Sequence, residues 1–386
     1  MATAIYQGQN FFAPYFEIKL QGQNLGHQVL RDVLQVSYQD DLENLDSFDF
    51  TLHDWDPVML STRYSSPFDE SGQLRKMADS TFDVPNFEPG ARVELYMGYY
   101  GGDKPLLMMV GKVASASVNF PASGNPTLTV RVLNLLYDLQ RSQQSLTFEN
   151  KTPTEIARAI ASDLDIELQS APGTNEQVID FIGMNNEYPI LFLARLARRS
   201  GYDLFVNIEA ENDPKLFFGL RQTSPQQYEL EWGKTLLQFT PTLKLKDQVQ
   251  QVIVRGWDPT ASGSDRAIEG QASWSDLDIQ MPDAKLLEQI EFAANDAIEE
   301  ITDQPVSSQQ AADALAQAAL RRIVQGVITG KGNTVGLPML RAGSRLLLKG
   351  LGLRYSHNYI VTESVHKIDD SGYTTEFTAR MEVVSG

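Results

Sequence analysis

FTLHDWDP, Phe50 to Pro57, recurs as VIVRGWDP at Val252 to Pro259, and this recurrence sets how the rest of the chain is read. Each copy is an extended run of alternating apolar positions that ends on Trp-Asp-Pro, where the proline removes a backbone donor and stops a ladder. A second pair follows in the same order. EPGARVELYMG (Glu88 to Gly98) and RAGSRLLLKG (Arg341 to Gly350) each carry Gly, one small residue, Arg and then apolar alternation. Arg92 thereby matches Arg345, and Val93 and Leu95 match Leu346 and Leu348. The third pair, VASASVNFPASGNPTLTVRV from Val113 and VTESVHKIDDSGYTTEFTARM from Val361, reads twice as strand, Ser-Gly turn, strand. Gly before a strand and Ser-Gly in a turn are common punctuation, so any one pair is weak; the shared order argues for a duplicated β module.

Working outward, the run YFEIKLQGQNL from Tyr15 reads as a hairpin turning at Gly22, followed by two strands around an acidic turn holding Asp40, Asp41, Glu43 and Asp46. Such a carboxylate cluster can bind calcium, but neither the Gly nor the terminal Glu of an EF-hand loop falls in register. Residues 57–85 read as a Ser- and Pro-rich surface loop. Thr152, Pro153 and Glu155 form a helix start, with Ile156, Ile160 and Leu164 on one face, and a second helix runs from Pro189 to a stop at Gly201. Helices are expected over Asp283 to Ile301 and Ser308 to Gln325, with Ser307 and Gln310 as a capping box. The resulting division is a β module over 1–146, a small α/β domain over 147–228, and a second β module over 229–386 with a helical insertion at about 260–330, placed where the first module has its Ser-rich loop.

The chain's 386 residues are enough for about two to four domains. Cysteine is absent, which removes disulfides, thiolate metal sites and cysteine nucleophiles together. No run reaches the roughly 18 apolar residues of a membrane span, and the N-terminus lacks the usual export signal, so a soluble protein is expected. With 50 acidic against 32 basic residues, the net charge of -18 leaves no basic face for nucleic-acid phosphates. Arg195, Arg198 and Arg199, the densest basic cluster, fall in the last turn of a helix, where cations suit the dipole. His27, His53, His357 and His366 show no metal-ligand spacing and stand in no nucleophile motif. GLGLRY near Gly350 is expected to continue into a strand, not to open a helix. Glu149 and Glu155 are the candidates for paired carboxylates, but Glu155 is accounted for as a cap. No catalytic residue, cofactor or metal site is expected, and the chain is read as non-enzymatic.

The order of FDFTLHDWD, FEPGARVELYMGY, TLTVRVLN, FLARLARRSGYDL, LKDQVQQVIVRGWDP, GLPMLRAGSRLLLKGLG and YIVTESVHKIDDSGYTTEF resembles the late control D family, from about Tyr15 to Val383. These are phage baseplate hub proteins, also found in phage-like contractile injection systems and as the N-terminal hub part of VgrG spike proteins. The resemblance implies a mainly β fold with α+β insertions: two similar antiparallel tube-like β-barrel modules, a small α/β domain and a helical insertion. It also implies a homotrimer forming a pseudo-sixfold ring, a symmetry adaptor that carries the hexameric inner tube on one face, initiates tube assembly and meets other baseplate proteins. Because the sequence stops after the second module, the trimeric spike on the other face is expected to be a separate chain. The particle, phage tail or injection system, would be assembled in the bacterial cytoplasm, with no direct membrane insertion of this chain before firing. Interface contacts are expected at Arg92, Arg345, Val93, Leu95, Leu346 and Leu348, with local strand-end salt bridges as the alternative for the arginines. Two alternatives stand beside this: a receptor- or carbohydrate-binding tail protein, with Tyr64, Tyr99 and Tyr100 as aromatic candidates, and a baseplate peptidoglycan hydrolase.

Overall fold

The computed structural model describes residues 3–4, 11, 13–42, 44–77, 83–101, 104–162, 167–173, 176, 178–208, 214–220, 227–257, 266–279, 283–302, 306 and 308–382. The chain is mainly β, with antiparallel sheets and a few helices. Its first part supplies β1 (Pro14–Leu20), β2 (Val33–Asp41), β3 (Ser47–His53), β4 (Arg92–Tyr99), β5 (Leu106–Asn119) and β6 (Thr127–Asn134). These pair antiparallel in the order β1-β4-β5-β6-β3-β2. A middle unit follows: β7 (Gln144–Lys151), α1 (Pro153–Ala161), β8 (Glu167–Ala171), β9 (Ile179–Glu187), α2 (Pro189–Ser200), β10 (Asp203–Ile208) and β11 (Pro214–Gly219). The last part has β12 (Gln227–Glu231) and β13 (Leu236–Leu243), then β14 (Gln251–Trp257), β15 (Ala267–Ser273), α3 (Ala284–Ala294), β16 (Ile298–Ile301) and α4 (Gln309–Gln325). It closes with β17 (Ile328–Val335), β18 (Arg345–Lys349), β19 (Asn358–Asp369) and β20 (Gly372–Met381).

The last part repeats the first strand for strand, in the order β12-β18-β19-β20-β17-β13. Its irregularities repeat too. Against β6, β5 skips Ala114, and against β20, β19 skips Thr362, each one residue after an equivalent valine, Val113 and Val361. Against β3, β2 skips Leu34, and against β17, β13 skips Leu237. Bulges re-aim a strand at a chosen place, so two matched bulges are strong evidence that the halves share one design. The Gly turns match as well: Gly90 N donates to Val113 O at 2.8 Å and Gly343 N to Val361 O at 2.7 Å, both glycines at positive φ. Arg92 stands opposite Lys112 and Arg345 opposite Ile360, each the residue before its valine, so the register of the second quoted pair is structural. The outermost strands differ, since β1 runs antiparallel to β4 while β12 runs parallel to β18.

The Trp-Asp-Pro pair is not part of this equivalence. FTLHDWDP lies on β3, between β2 and β6, whereas VIVRGWDP lies on β14, between β15 and β16 in a separate three-stranded sheet. The counterpart of β3 is β17, whose sequence ITGKGNTV shares no apolar pattern with it. Packing explains the lost signal. Phe48 and Phe50 of β3 face the core, and their equivalents are Gly330 and Gly332. Over those glycines lie Phe239 of β13 and Phe377 of β20, so the rings come from the flanking strands instead. A Cβ on Gly332 would stand 2.3 Å from the Phe377 ring. Gly332→Ala is therefore expected to cost about 1 to 3 kcal/mol through overpacking, read as a lower urea midpoint, and the larger loss should disappear in Gly332→Ala/Phe377→Leu.

The inserted unit sits between β13 and β17, at the place of the β2–β3 acidic turn, not at the place of the Ser-rich loop. It has less helix than expected. The first helix ends at Ala294, because Ile298–Ile301 peels off to pair parallel with β14. The second is capped by Ser308, whose hydroxyl accepts from Ala311 N at 3.3 Å. Gly352–Tyr355 forms one short helical turn before β19, where a direct run into a strand was expected. Glu43, the Asp258–Pro259 end of VIVRGWDP, Leu164 and Ser307 lie outside the described residues. The capping box at Thr152 and Glu155 is present, and Gly201 ends α2 at φ +67°.

The loop over 57–85 is more than a surface connection. Tyr64, Met77 and Val84 from it close the first core beside Phe87. It is anchored by Asp54, the residue just before the first Trp-Asp-Pro, which is fully buried and accepts from the backbone N of Arg63, Tyr64 and Ser65 at 3.0, 2.5 and 3.2 Å. Three main cores result, one for each β half and one for the middle unit, where α1 and α2 pack through Ile156, Ile160, Phe192 and Leu196; a small fourth cluster joins Tyr96, Leu107, Val110 and Leu135. Ile368 and Tyr373 of the second half belong to the core of the first.

Candidate functional site: the junction of the two repeats

One strand belongs to both halves. Along one edge β19 pairs with β20 throughout; along the other, Asn358–Ile360 pair with β18, and Glu363–Ile368 pair with β2 of the first half. Asp41 stands opposite Glu363, Tyr38 opposite His366 and Val36 opposite Ile368. Thus β2 takes over the ladder where β18 stops, and the two six-stranded repeats, with the short strands Thr3–Ala4 and Gln23–Asn24, form a single sheet of 14 strands.

The buried face of this seam is polar. Arg341, in the turn before β18, donates from Nε to Asp40 Oδ2 at 2.6 Å and from its terminal nitrogen to the Tyr38 hydroxyl and to Met108 O at 3.0 Å. The guanidinium lies 4.8 Å from the centre of the Tyr38 ring, and Ala342 N donates to the same Asp40 oxygen at 3.1 Å. Burial alone would lower the Arg341 pKa, but Tyr38, Asp40 and Asp46 hold it above its ordinary value, so it stays charged. Asp46 is pushed up to about 7, first by burial and then by the charge of Asp40, with Arg341 opposing. His366 is fully buried, meeting Leu340 O and the Tyr373 hydroxyl at 3.0 Å each and the Thr375 hydroxyl at 3.1 Å. Burial and the nearby Arg341 charge press its pKa down to about 3, so it is neutral. A second bridge joins the halves where Tyr99 stacks on Tyr373 at 5.5 Å and donates to Gly336 O at 2.8 Å.

A cavity of about 180 Å³ borders this cluster, lined by Asp40, Asp46 and Arg341 on one side and Asp203 to Asn207 of β10 on the other. Every charged group in the cluster already has a protein partner, and among the described residues no group of three His, Asp or Glu side chains is placed to hold a metal. What the arrangement can do is mechanical: it ties two β modules together with a part-buried ion pair and a shared strand.

The residues singled out from sequence fall elsewhere. Val93, Leu95, Leu346 and Leu348 are all buried within their own halves, where alternation points them to the core. Arg92 lies 3.8 Å from Glu94, and Arg345 donates to Glu382 at 2.6 Å, which are local strand-end pairs. Tyr64 is a core residue, and the exposed Tyr100 leans on Tyr15 at 4.7 Å. Among the described residues no helix is long and apolar enough to cross a membrane. The junction residues Tyr38, Asp40, Arg341 and His366 were not singled out as a site. Their one legible signal is that Tyr38 and Asp40 occupy the same strand face as Val36.

Residues 74–370 match the model of the family described as the Alg8 N-terminal domain. The chain belongs to that family. No curated protein matches it by sequence. Among solved structures, this Alg8 N-terminal domain chain is similar to the 43 kDa tail protein of prophage MuSo2 from Shewanella oneidensis, with a TM-score of 0.67 and 14% identity over 95% of this chain and 98% of that one. It is similar to the tail protein from Neisseria meningitidis MC58, with a TM-score of 0.67 and 12% identity over 96% and 97% of the two chains. A third likeness, with a TM-score of 0.55 and 12% identity over 96% of this chain and 77% of the other, is to the E. coli c3393 protein, described as a component of the type VI secretion system with structural similarity to the T4 bacteriophage tail proteins gp27 and gp5. At these identities the likeness is one of fold. The Alg8 N-terminal domain chain has the fold of tail proteins, the same kind of protein that its motif order resembles, although the matched family carries a different name from late control D.

Proposed function

We propose that the chain is a structural hub of a contractile tail or injection-system baseplate. In this reading three copies form a pseudo-sixfold ring that joins a hexameric inner tube to a trimeric spike, among other baseplate proteins of the particle. The observation that carries the reading is the repeated six-strand order with its matched bulges: each chain offers two similar modules, so three chains offer six. The role is mechanical and non-catalytic, and the acidic surplus suits a lumen to which polyanions do not adhere. Arg92 and Arg345 are partly exposed at equivalent strand starts and stand as ring-contact candidates despite their local pairs. The test is electron microscopy of the chain, alone and with its tube and spike partners, viewed down the symmetry axis. Three chains and six similar lobes are expected, with the inserted unit on alternate lobes, and Arg92→Glu/Arg345→Glu should scatter the rings. A monomer or closed dimer in every mixture overturns the hub reading, and intact rings in the double variant remove the arginines from the contact.

A further inference from the structure

Two strand edges are left open, and each is the repeat-equivalent of an edge that is filled inside the chain. Among the described residues β13 pairs only with β17, although its equivalent β2 pairs on both sides, with β3 and with β19. Among the described residues the distal half of β5, from Ser115 to Asn119, likewise pairs only with β6, because β4 reaches no further than Lys112; the equivalent half of β19 is the segment that β2 covers. We propose that β13 of one copy pairs antiparallel with the distal half of β5 of a second copy, repeating between chains the β2–β19 seam found within one. The proposal deepens the ring reading above and rests on it.

The matched bulges fix the register. Aligning Val113 with Val361 and Leu236 with Val33 turns the seam's Asp40–Ser364, Tyr38–His366 and Val36–Ile368 pairs into Leu243–Ala116, Pro241–Val118 and Phe239–Phe120. Backbone direction agrees. Lys244 N donates to Val327 O at 2.8 Å, toward β17, so Leu243, Pro241 and Phe239, which alternate with it, turn their backbone groups to the open edge. In the seam within the chain, Leu42 N donates to Thr362 O at 3.0 Å, so the equivalents Asp40, Tyr38 and Val36 face β19 in the same way.

Side-chain chemistry points to the same occupant. The distal half of β5 alternates Ser115, Ser117, Asn119 with Ala116, Val118, Phe120, the pattern of a half-buried strand, yet all six residues are exposed, Phe120 at 68%. Their equivalents Ser364, His366 and Ile368 are buried by β2. Pairing with β13 would lay Phe239, Pro241 and Leu243 along that uncovered apolar stripe and leave polar Thr240 and Thr242 on the other face, beside Asn119 and Ser117. Pro241 leaves this seam one hydrogen bond short of its intramolecular model, as suits an edge strand that must not accept any chance partner. The contact is head-to-tail, the kind that generates a ring when its rotation closes.

Because the chain has no cysteine, a disulfide reads the register cleanly. Thr242 opposite Ser117 is a non-hydrogen-bonded pair with Cα atoms about 4.5 Å apart, within reach of a disulfide. Thr240→Cys paired with Ser117→Cys instead shifts the partner two residues, to about 7 to 8 Å. On mild oxidation, Ser117→Cys/Thr242→Cys should give a reducible ladder of dimer and trimer in which most of the chain is linked, with at least fivefold less from the shifted pair, while native mass spectrometry counts the copies in each sample. Threefold particles that do not cross-link, or that link equally in both registers, overturn the seam and leave the ring reading standing. A chain that stays monomeric with and without its tube and spike partners overturns both.

Discussion

Replacing Arg341 by methionine is expected to destabilise the chain by about 2 to 3 kcal/mol, below the range of about 3 to 5 for a fully buried ion pair because 28% of the Arg341 side chain is exposed. Methionine roughly keeps the volume and loses the charge. Asp40 would then face the Tyr38 hydroxyl and Asp46 with only the Ala342 amide still donating to it, and the Met108 carbonyl would lose its donor. Most of the cost comes from the carboxylate left behind, so Arg341→Met/Asp40→Asn should recover a large part of the loss. Urea denaturation followed by tryptophan fluorescence and by far-ultraviolet circular dichroism checks this. Because the chain holds three main cores, the comparison belongs on the transition of the two β halves. A loss below about 1 kcal/mol, or a double variant no better than the single, would show that the shared strand alone holds the repeats together.

This cluster also marks where the sequence is legible and where it is not. The duplication could be read because strand punctuation is local: Gly90 and Gly343 take positive φ, and Val93, Leu95, Leu346 and Leu348 alternate inward, so each repeat carries the same marks. The β3–β17 equivalence is unreadable because packing conserves volume in space and not on a strand; Phe48 and Phe50 in one half become Phe239 and Phe377 on two other strands in the second. VIVRGWDP misled for the complementary reason, since an extended run ending on Pro marks a strand end in any sheet. The junction is hidden by distance along the chain. Arg341 meets Asp40 and Tyr38 across about three hundred residues, and no period or spacing encodes a pair of that separation. Arg92 and Arg345 look equivalent and are; Arg341, four residues before Arg345 in the same motif, has a glutamate in its place at Glu88, which is why a comparison of the repeats passes over it.

His366 and Asp46 give the junction two opposed pH dependences that single substitutions should separate. His366 titrates at about 3 in the folded chain against an ordinary 6.5, so the unfolded chain takes up its proton first; the stability it contributes is complete above pH 6.5 and is lost as pH falls toward 3. Asp46 titrates at about 7 against 3.8, so the folded chain holds the extra proton; its contribution is complete below pH 3.8 and is lost as pH rises toward 7. Between pH 3.8 and 6.5 the slopes oppose each other, each limited to about 1.4 kcal/mol per pH unit, and the wild-type profile should show little net effect from the pair there. His366→Gln can still donate toward Leu340 O but cannot charge. Subtracting its denaturation profile from that of the wild type should leave a difference that climbs from pH 3 to 6.5 and is level above. Asp46→Asn should give the opposite difference, falling from pH 3.8 to 7. If both differences are level across the whole range, neither group is desolvated as the buried seam requires, and water must reach the strand face between Tyr38 and His366.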